Sequence, residues 1–569
     1  MATRGQDRRA REGAPTDADS PRPIGSSPRL WERVLPTVQH TPLIVTGAVR
    51  RFREDPARGR AALERALPRL TPGAPGGDVL AALDRAIAAD RYDEAVTLLE
   101  RLAPGDPARL GAELAVAGLA GRLNDVLAHE PSDRRGRRAL RRAAADRQRL
   151  SAPLPTWCAV SPRTRPTTAE APRILHVVTN SLPRVQAGST IRTQRVARAQ
   201  RDAGWDAQVV TRPGFPVTRG EAWAADVQYV DGIPYHRLLP RTMPSEARVP
   251  EVYARELAAL VDGIRPDLLH GASDPVNARA ALEVGRRAGL PVAYEARSFF
   301  EDTWLSRHGG DPTADTYRLL RDRHTEILRA ADVVTTLGVA MRDEIVRRGV
   351  PADRVIIAPN AVPAAFLEPR ADTAEQARSR LGLENADLWV GSLATLNADE
   401  GFDTLLEALA LLRAEGVDAR ALLVGSGPTS ADLARQAEQR AVPLTMPGRV
   451  PVDAVLPWYD ALDVFAFPRH DTALNRLVTG LKPVEAQARE IPVVGSDLPA
   501  VREVSAPGAA LVASGDAAAL AEALSGLLDP RERGERGRAA RQWVKETRTW
   551  PRVMEAYRAA YSFGGISAA

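Results

Sequence analysis

Between Arg173 and Asp497 one pattern repeats: a short apolar run, then a longer segment of helical spacing. The runs are Arg173-Ile174-Leu175-His176-Val177-Val178, Asp206-Ala207-Gln208-Val209-Val210-Thr211, Leu268-Leu269-His270, Pro291-Val292-Ala293-Tyr294-Glu295, Asp332-Val333-Val334-Thr335-Thr336 and Arg354-Val355-Ile356-Ile357. A second series holds Leu388-Trp389-Val390-Gly391-Ser392-Leu393, Ala421-Leu422-Leu423-Val424, Val464-Phe465-Ala466-Phe467 and Pro492-Val493-Val494-Gly495. Strands that are apolar almost throughout, rather than at alternate positions, are buried on both faces. That requires a parallel sheet with helices on either side. The chain is therefore expected to be α/β, with two doubly wound, Rossmann-like domains over about 172–370 and 371–546. Ligands of such sheets sit beyond the carboxyl ends of the strands, so the loops after the strands are where chemistry is sought.

The first of these loops runs Asn180-Ser181-Leu182-Pro183-Arg184-Val185-Gln186-Ala187-Gly188-Ser189. It lacks the Gly-x-Gly-x-x-Gly fingerprint, which argues against a nicotinamide dehydrogenase. Gly188 and Ser189 can still present backbone N–H groups to an anion at a helix start. A second loop follows Val464-Phe465-Ala466-Phe467: Arg469-His470-Asp471-Thr472-Ala473-Leu474-Asn475-Arg476-Leu477-Val478-Thr479-Gly480-Leu481-Lys482-Pro483-Val484-Glu485. Pro483 suits the first turn of a helix. The chain has two lysines, Lys482 and Lys545, and writes every other cation as arginine. A compact ammonium beside a helix start suits a phosphate oxygen. An ordinary strand–loop–helix connection with a solvated Lys482 is the competing reading.

Residues 1–28 carry almost no large apolar side chains and read as disordered. Residues 29–150 read as a helical extension. Within it, Asp90-Arg91-Tyr92 and Gly121-Arg122-Leu123 are loosely similar at an offset of 31, as in one or two degenerate tetratricopeptide-type hairpins; a private bundle is the alternative. Residues 133–150 are rich in arginine and read either as a solvated helix or as a surface for anionic lipid. Prolines at 153, 155, 162 and 166 mark 151–171 as a linker. The net charge of +5 is diffuse, unlike the concentrated patch of a nucleic-acid binder. One cysteine, no secretion signal and no long apolar span point to the cytoplasm, with the inner membrane face as a variant. The eight histidines and the cysteine are scattered, so no metal is expected.

Taken together, the loop at 180–189, Val210-Thr211-Arg212-Pro213-Gly214 and Tyr294-Glu295-Ala296-Arg297 resemble the acceptor half of retaining GT-B glycosyltransferases, family 4. The second series of strands resembles the nucleotide-sugar half, and 547–562 the closing crossover helix of that family. The resemblance implies two domains facing a cleft and a metal-independent transfer from a nucleotide diphospho-sugar, taken as UDP-linked. The acceptor would be a glycan, a lipid-linked molecule or a small metabolite, with no cofactor. It implies a catalytic role for His270; Arg469 at the strand end and Lys482 at the helix start are expected to act as the catalytic cations, holding the diphosphate as a pair in place of the family's usual clamp. It places the donor against Gly188, Gly391, Ser392, Gly425, Gly427, Arg449, Val450, Gly480, Leu481 and Glu485, the last on the ribose. Arg192, Glu295 and Arg297 fall on the acceptor side. The chain also departs from the pattern: Ser392 and Glu400 stand where an Arg and a Lys are common, Leu477 where a carboxylate is common, and Ala272 where many relatives have a second histidine. Asp471 or Asn475 could touch the sugar in place of Leu477. Those departures keep open an inactive, glycosyltransferase-like interaction protein; an epimerase on the same architecture would need acid/base carboxylates with no obvious place here.

Overall fold

The computed structural model describes residues 79–131, 133–154, 171–221, 224–244 and 248–563. The expectations for residues 1–78 and for most of the linker lie outside them. The first sheet contains β1 (Arg173–Val178), β2 (Asp206–Thr211), β3 (Val227–Val230), β4 (Ile233–Arg237), β5 (Leu268–Ala272), β6 (Val292–Ala296), β7 (Val333–Thr336) and β8 (Val355–Ile357), in the order β3-β4-β2-β1-β5-β6-β7-β8. All neighbours are parallel except the β3–β4 hairpin. The second sheet holds β9 (Leu388–Leu393), β10 (Ala419–Val424), β11 (Leu444–Gly448), β12 (Val464–Phe467), β13 (Val493–Ser496) and β14 (Ala510–Val512), all parallel, in the order β11-β10-β9-β12-β13-β14. Strand order reverses at β1 in one sheet and at β9 in the other, the two crevices where such folds take ligands.

The last helix, Trp550–Ser562, returns to the first sheet. Val553, Met554, Tyr557 and Tyr561 are buried there against Ile174, Val196, Leu268 and Ala293. Beneath them lies a polar hub. Glu295, wholly buried on β6, accepts from Arg192 Nε (2.8 Å), Arg297 Nη2 (2.6 Å) and the Tyr557 hydroxyl (2.9 Å). Burial alone would raise the Glu295 pKa; Arg192 and then Arg297 hold it well below the usual carboxylate range. Arg192 also donates to Ala358 O at 2.6 Å and to Asn360 at 3.0 Å, where the chain leaves the first sheet.

This hub corrects the expectation for His270. The histidine is wholly buried, with Nδ1 on the Tyr561 hydroxyl (2.6 Å) and Nε2 on Glu295 (3.2 Å). Desolvation by burial lowers its pKa. Both ring nitrogens are engaged and no solvent reaches them, so His270 fastens the closing helix and does not face a substrate. Arg192, Glu295 and Arg297 are corrected for the same reason: their polar atoms are turned into the core and not towards an acceptor.

Among the described residues five helices precede the first sheet: Val79–Ala88, Tyr92–Glu100, Arg109–Leu119, Leu123–Leu127 and Arg134–Ser151. Leu83, Ala86, Ala95, Leu98, Ala112 and Val116 form the core of the first three, and Leu123, Val126, Ala139 and Ala143 of the last two pack with Leu114 and Ala117 in a second cluster. The two turns related by the 31-residue offset both grip the same part of the first domain. At the first turn, His308 stacks on Trp304 and reaches Asp90 at 3.3 Å. At the second, Asn124 donates its backbone N–H and its side-chain amide to Asp315, each at 2.7 Å. Gly121, with φ +74°, leaves no room for a side chain beside Trp304.

Removing one partner from a buried ion network leaves an uncompensated charge, at a cost of about 3–5 kcal/mol. Glu295→Ala should therefore lower unfolding stability by about that amount in urea titration; a loss below about 1 kcal/mol, the scale of a surface pair, would contradict the hub's role.

Candidate active site

The segment after β12 is shaped by its own side chains. Thr472 caps the short helix Ala473–Leu477 by accepting from the backbone N–H of Asn475. The buried Asn475 amide donates to Asp399 O (2.7 Å) and His470 O (3.0 Å), and Asp471 pairs with Arg476. Asn475 is thus committed to shaping the segment, whereas Asp471 stays at the surface beside Arg476. Leu477 and Val478 pack against the apolar core of the first domain, which includes Leu337 and Met341. The position where relatives carry a carboxylate is here an apolar contact between domains.

Glu485 lies in the first turn of the helix Lys482–Ala488 and is wholly buried. One oxygen accepts from the Tyr459 hydroxyl (2.5 Å) and from Lys482 Nζ (2.8 Å). The other lies 2.7 Å from Arg195 Nη1, close enough to pair but outside hydrogen-bond geometry. Burial would raise the Glu485 pKa, but Lys482 first and then Arg195 bring it down to about 2. Arg195 belongs to Gly188–Asp202, the helix that follows β1, and crosses from the other domain. It was not singled out from the sequence. The signal available was an arginine three residues after Arg192, on a helix that begins at the crevice.

Lys482 and Arg469, expected to act as a pair, meet different partners. Arg469 packs over the Phe467 ring, donates to Val478 O at 3.0 Å and pairs with Glu400 at 3.1 Å. Glu400, standing where a lysine is common, therefore neutralises Arg469. That corrects the picture of two free cations on one diphosphate: among the described residues, the cations directed at Glu485 are Lys482 and Arg195.

The other expected donor residues divide by place. Gly391 and Ser392 are buried inside β9, and a side chain at Gly391 would collide with the Leu422 carbonyl. Gly425 (φ +144°) and Gly427 let the loop after β10 run against Ala394 O and Leu396 O. These four shape the sheet edge and expose no side chain to a ligand. Gly480 backs onto Phe467, and Leu481 precedes the Lys482 helix. Gly188 is exposed, with open space around it. Arg449 is exposed, and Val450 O accepts from the Gln186 amide across the seam at 2.9 Å. Glu503 crosses the other way, accepting from the Val339 and Ala340 N–H groups at 2.6 and 2.8 Å. A cavity of about 460 Å³ opens elsewhere, beyond β4, beside Leu239, Arg241, Arg248, Val252 and Arg255. Among the described residues no three His, Cys, Asp or Glu side chains cluster as metal ligands would.

Two facing parallel-sheet domains, closed by a returning helix, make up the GT-B fold. Residues 187–361 match the model of a glycosyl transferase 4-like domain and residues 386–530 that of glycosyl transferases group 1, together more than half of the chain. The chain belongs to the GT-B glycosyltransferases of family 4. Among curated proteins, it is similar to a GDP-mannose-dependent alpha-(1-6)-phosphatidylinositol monomannoside mannosyltransferase of Mycolicibacterium smegmatis, with 28% identity over 43% of this chain and 66% of that protein. A Corynebacterium glutamicum protein named as the corresponding monoacylated-substrate mannosyltransferase is 31% identical over 30% of this chain and 46% of its own length. The matches thus span about half to two-thirds of these relatives. Of solved structures, sucrose-phosphate synthase from Thermosynechococcus elongatus superposes with a TM-score of 0.56 at 20% identity, covering 68% of this chain and 99% of that one. Anabaena HepE with UDP-glucose gives 0.54 at 16% identity, over 69% and 100%. At those identities the likeness is one of fold.

The folded-state pKa of Glu485, about 2, lies below the ordinary 4.5. Its contribution to stability is therefore complete above 4.5 and is lost as pH falls towards 2. The stability difference between wild type and Glu485→Gln should be constant at neutral pH and shrink below about pH 4.5 in urea titrations. A difference that does not change between about pH 5 and pH 3 would show that Glu485 is not held ionised by Lys482 and Arg195.

Proposed function

We propose that this protein transfers a sugar from a nucleoside diphospho-sugar to an acceptor hydroxyl, with retention of configuration. The observation that carries the reading is Glu485: a buried carboxylate between Lys482 and Arg195, where the ligand edge of the second sheet meets the first domain. A carboxylate there can accept from both ribose hydroxyls. In the described closed state Arg195 stands where those donors would bind, so the seam must open by a small domain movement before the nucleotide enters. When the bond from the anomeric carbon to the diphosphate breaks, negative charge grows on the leaving oxygen. Lys482, released from Glu485 by the ribose, is the compact cation beside that oxygen. The acceptor oxygen forms the new bond to the same face of the sugar, and its proton leaves with the diphosphate.

The family resemblance points to a UDP-sugar; the names of the curated relatives favour GDP-mannose and a lipid-linked acceptor. The second is the reading adopted here, with the enzyme acting in the cytoplasm at the inner membrane face. The names of those relatives support it.

Thermal shift with GDP, UDP and ADP decides between these. A nucleotide at a hundred times its dissociation constant stabilises by about 2.7 kcal/mol, a shift of a few degrees. GDP should give the largest shift. A larger shift with UDP would restore the first reading, and a flat response to all three would favour an inactive scaffold. With labelled GDP-mannose and extracted membrane lipid, Lys482→Ala should lower turnover by about a hundredfold or more; near-normal turnover in that variant would end the assignment.

A further inference from the structure

The helix Arg134–Ser151 buries Gly136, Ala139, Ala143 and Leu150 against the extension and turns its remaining faces outward. Its exposed positions include Arg134, Arg137, Arg138, Arg141, Arg142, Arg147 and Arg149. The rest are Ala144, Ala145, Gln148 and Ser151, so no aromatic or large aliphatic side chain is exposed along it. Its one acidic residue, Asp146, is shared between Arg142 and Arg149. Eighteen residues make a rod about 27 Å long.

The rod is fixed to the first domain at its C-terminal end. Arg323 donates to Ser151 O at 3.2 Å, Arg279 to Ala152 O and Pro153 O at 3.5 and 3.3 Å, and Glu326 accepts from Leu154 N–H at 3.0 Å. These arginines also meet the negative end of the helix dipole. A merely solvated charged helix would need no such tie.

We propose that this helix is an electrostatic docking surface for an anionic lipid bilayer, holding the first domain against the membrane. Charge complementarity selects the partner. Arginine on a broad helical face matches a field of headgroup phosphates, each bound through paired N–H donors. The absence of exposed large apolar residues means that it rests on the headgroups and does not insert. No helix among the described residues is long and apolar enough to cross a membrane. Single-stranded nucleic acid fits less well, since the face offers no aromatic platform for bases. The inference rests on the proposed lipid-linked acceptor only for its purpose; docking itself is measured without turnover.

The test is sedimentation of the full chain with vesicles of phosphatidylglycerol and phosphatidylcholine, or of phosphatidylcholine alone. Binding should require phosphatidylglycerol and fall with added salt. An arginine near an anionic surface contributes about fivefold to partitioning. The triple variant Arg134→Gln, Arg141→Gln, Arg147→Gln should thus bind about a hundredfold more weakly, with unchanged circular dichroism and the same thermal response to GDP. Equal binding to both vesicle types, no binding to either, or undiminished binding of the triple variant would each overturn the proposal. So would a preference for single-stranded RNA over anionic vesicles in competition. A flat GDP response together with normal vesicle binding would sink the catalytic reading and leave this one standing.

Discussion

A single buried carboxylate underlies the way this chain closes on itself. Glu295 sits at the middle of the first sheet, taken out of water completely, and is tolerable only because Arg192, Arg297, His270 and Tyr557 all face it. Those partners come from the helix after β1, from β5, from the end of β6 and from the closing helix. An isolated charge in such a place would be prohibitively costly, so each partner's position is dictated by the others. The helix Trp550–Ser562 must therefore return to the first domain, and the second domain is left joined by two chain crossings, one on the way out near Asn360 and one on the way back near Thr549.

The seam between the domains is built from a different kind of contact. Arg195 with Glu485, Glu503 with two helix-terminal N–H groups, and Gln186 with Val450 O are each single polar links. Leu477 and Val478 add a modest apolar patch. Such a seam has fewer links than the Glu295 hub, but its central pair is as deeply placed: Glu485 is wholly buried, so parting it requires water or a ligand to take the place of Arg195. Leu477 serves the contact between the domains. Glu400 draws Arg469 into a local pair, leaving Lys482 and Arg195 to face Glu485.

The two sheets were legible because doubly buried strands leave long apolar runs that few other structures produce. Lys482 and Glu485 stand three apart at one helix start, so their neighbourhood can be read from the sequence, though their mutual pairing was not. His270 was misread for the opposite reason. Whether a histidine on a strand faces a crevice or a helix depends on a partner 291 residues away, Tyr561. Arg195 was missed for the same cause, since its partner is in the other domain. Ser392 and the four glycines in and after β9, β10 and β12 look alike in the sequence whether they make room for a ligand or for a neighbouring backbone; Gly391, Gly425 and Gly427 turn out to make room for carbonyl groups.

The matched turns of the helical extension have a mechanical consequence. Both seize the first domain, at Trp304 and His308 and at Asp315, and the arginine-rich helix is pinned to it at Ser151 and Ala152. The closing helix adds its mass to the same side. Extension, first sheet and last helix are thus tied into one base, against which the second sheet rests through the seam contacts. Any hinge motion of this protein is a motion of the nucleotide half against a fixed base, whichever surface that base rests on.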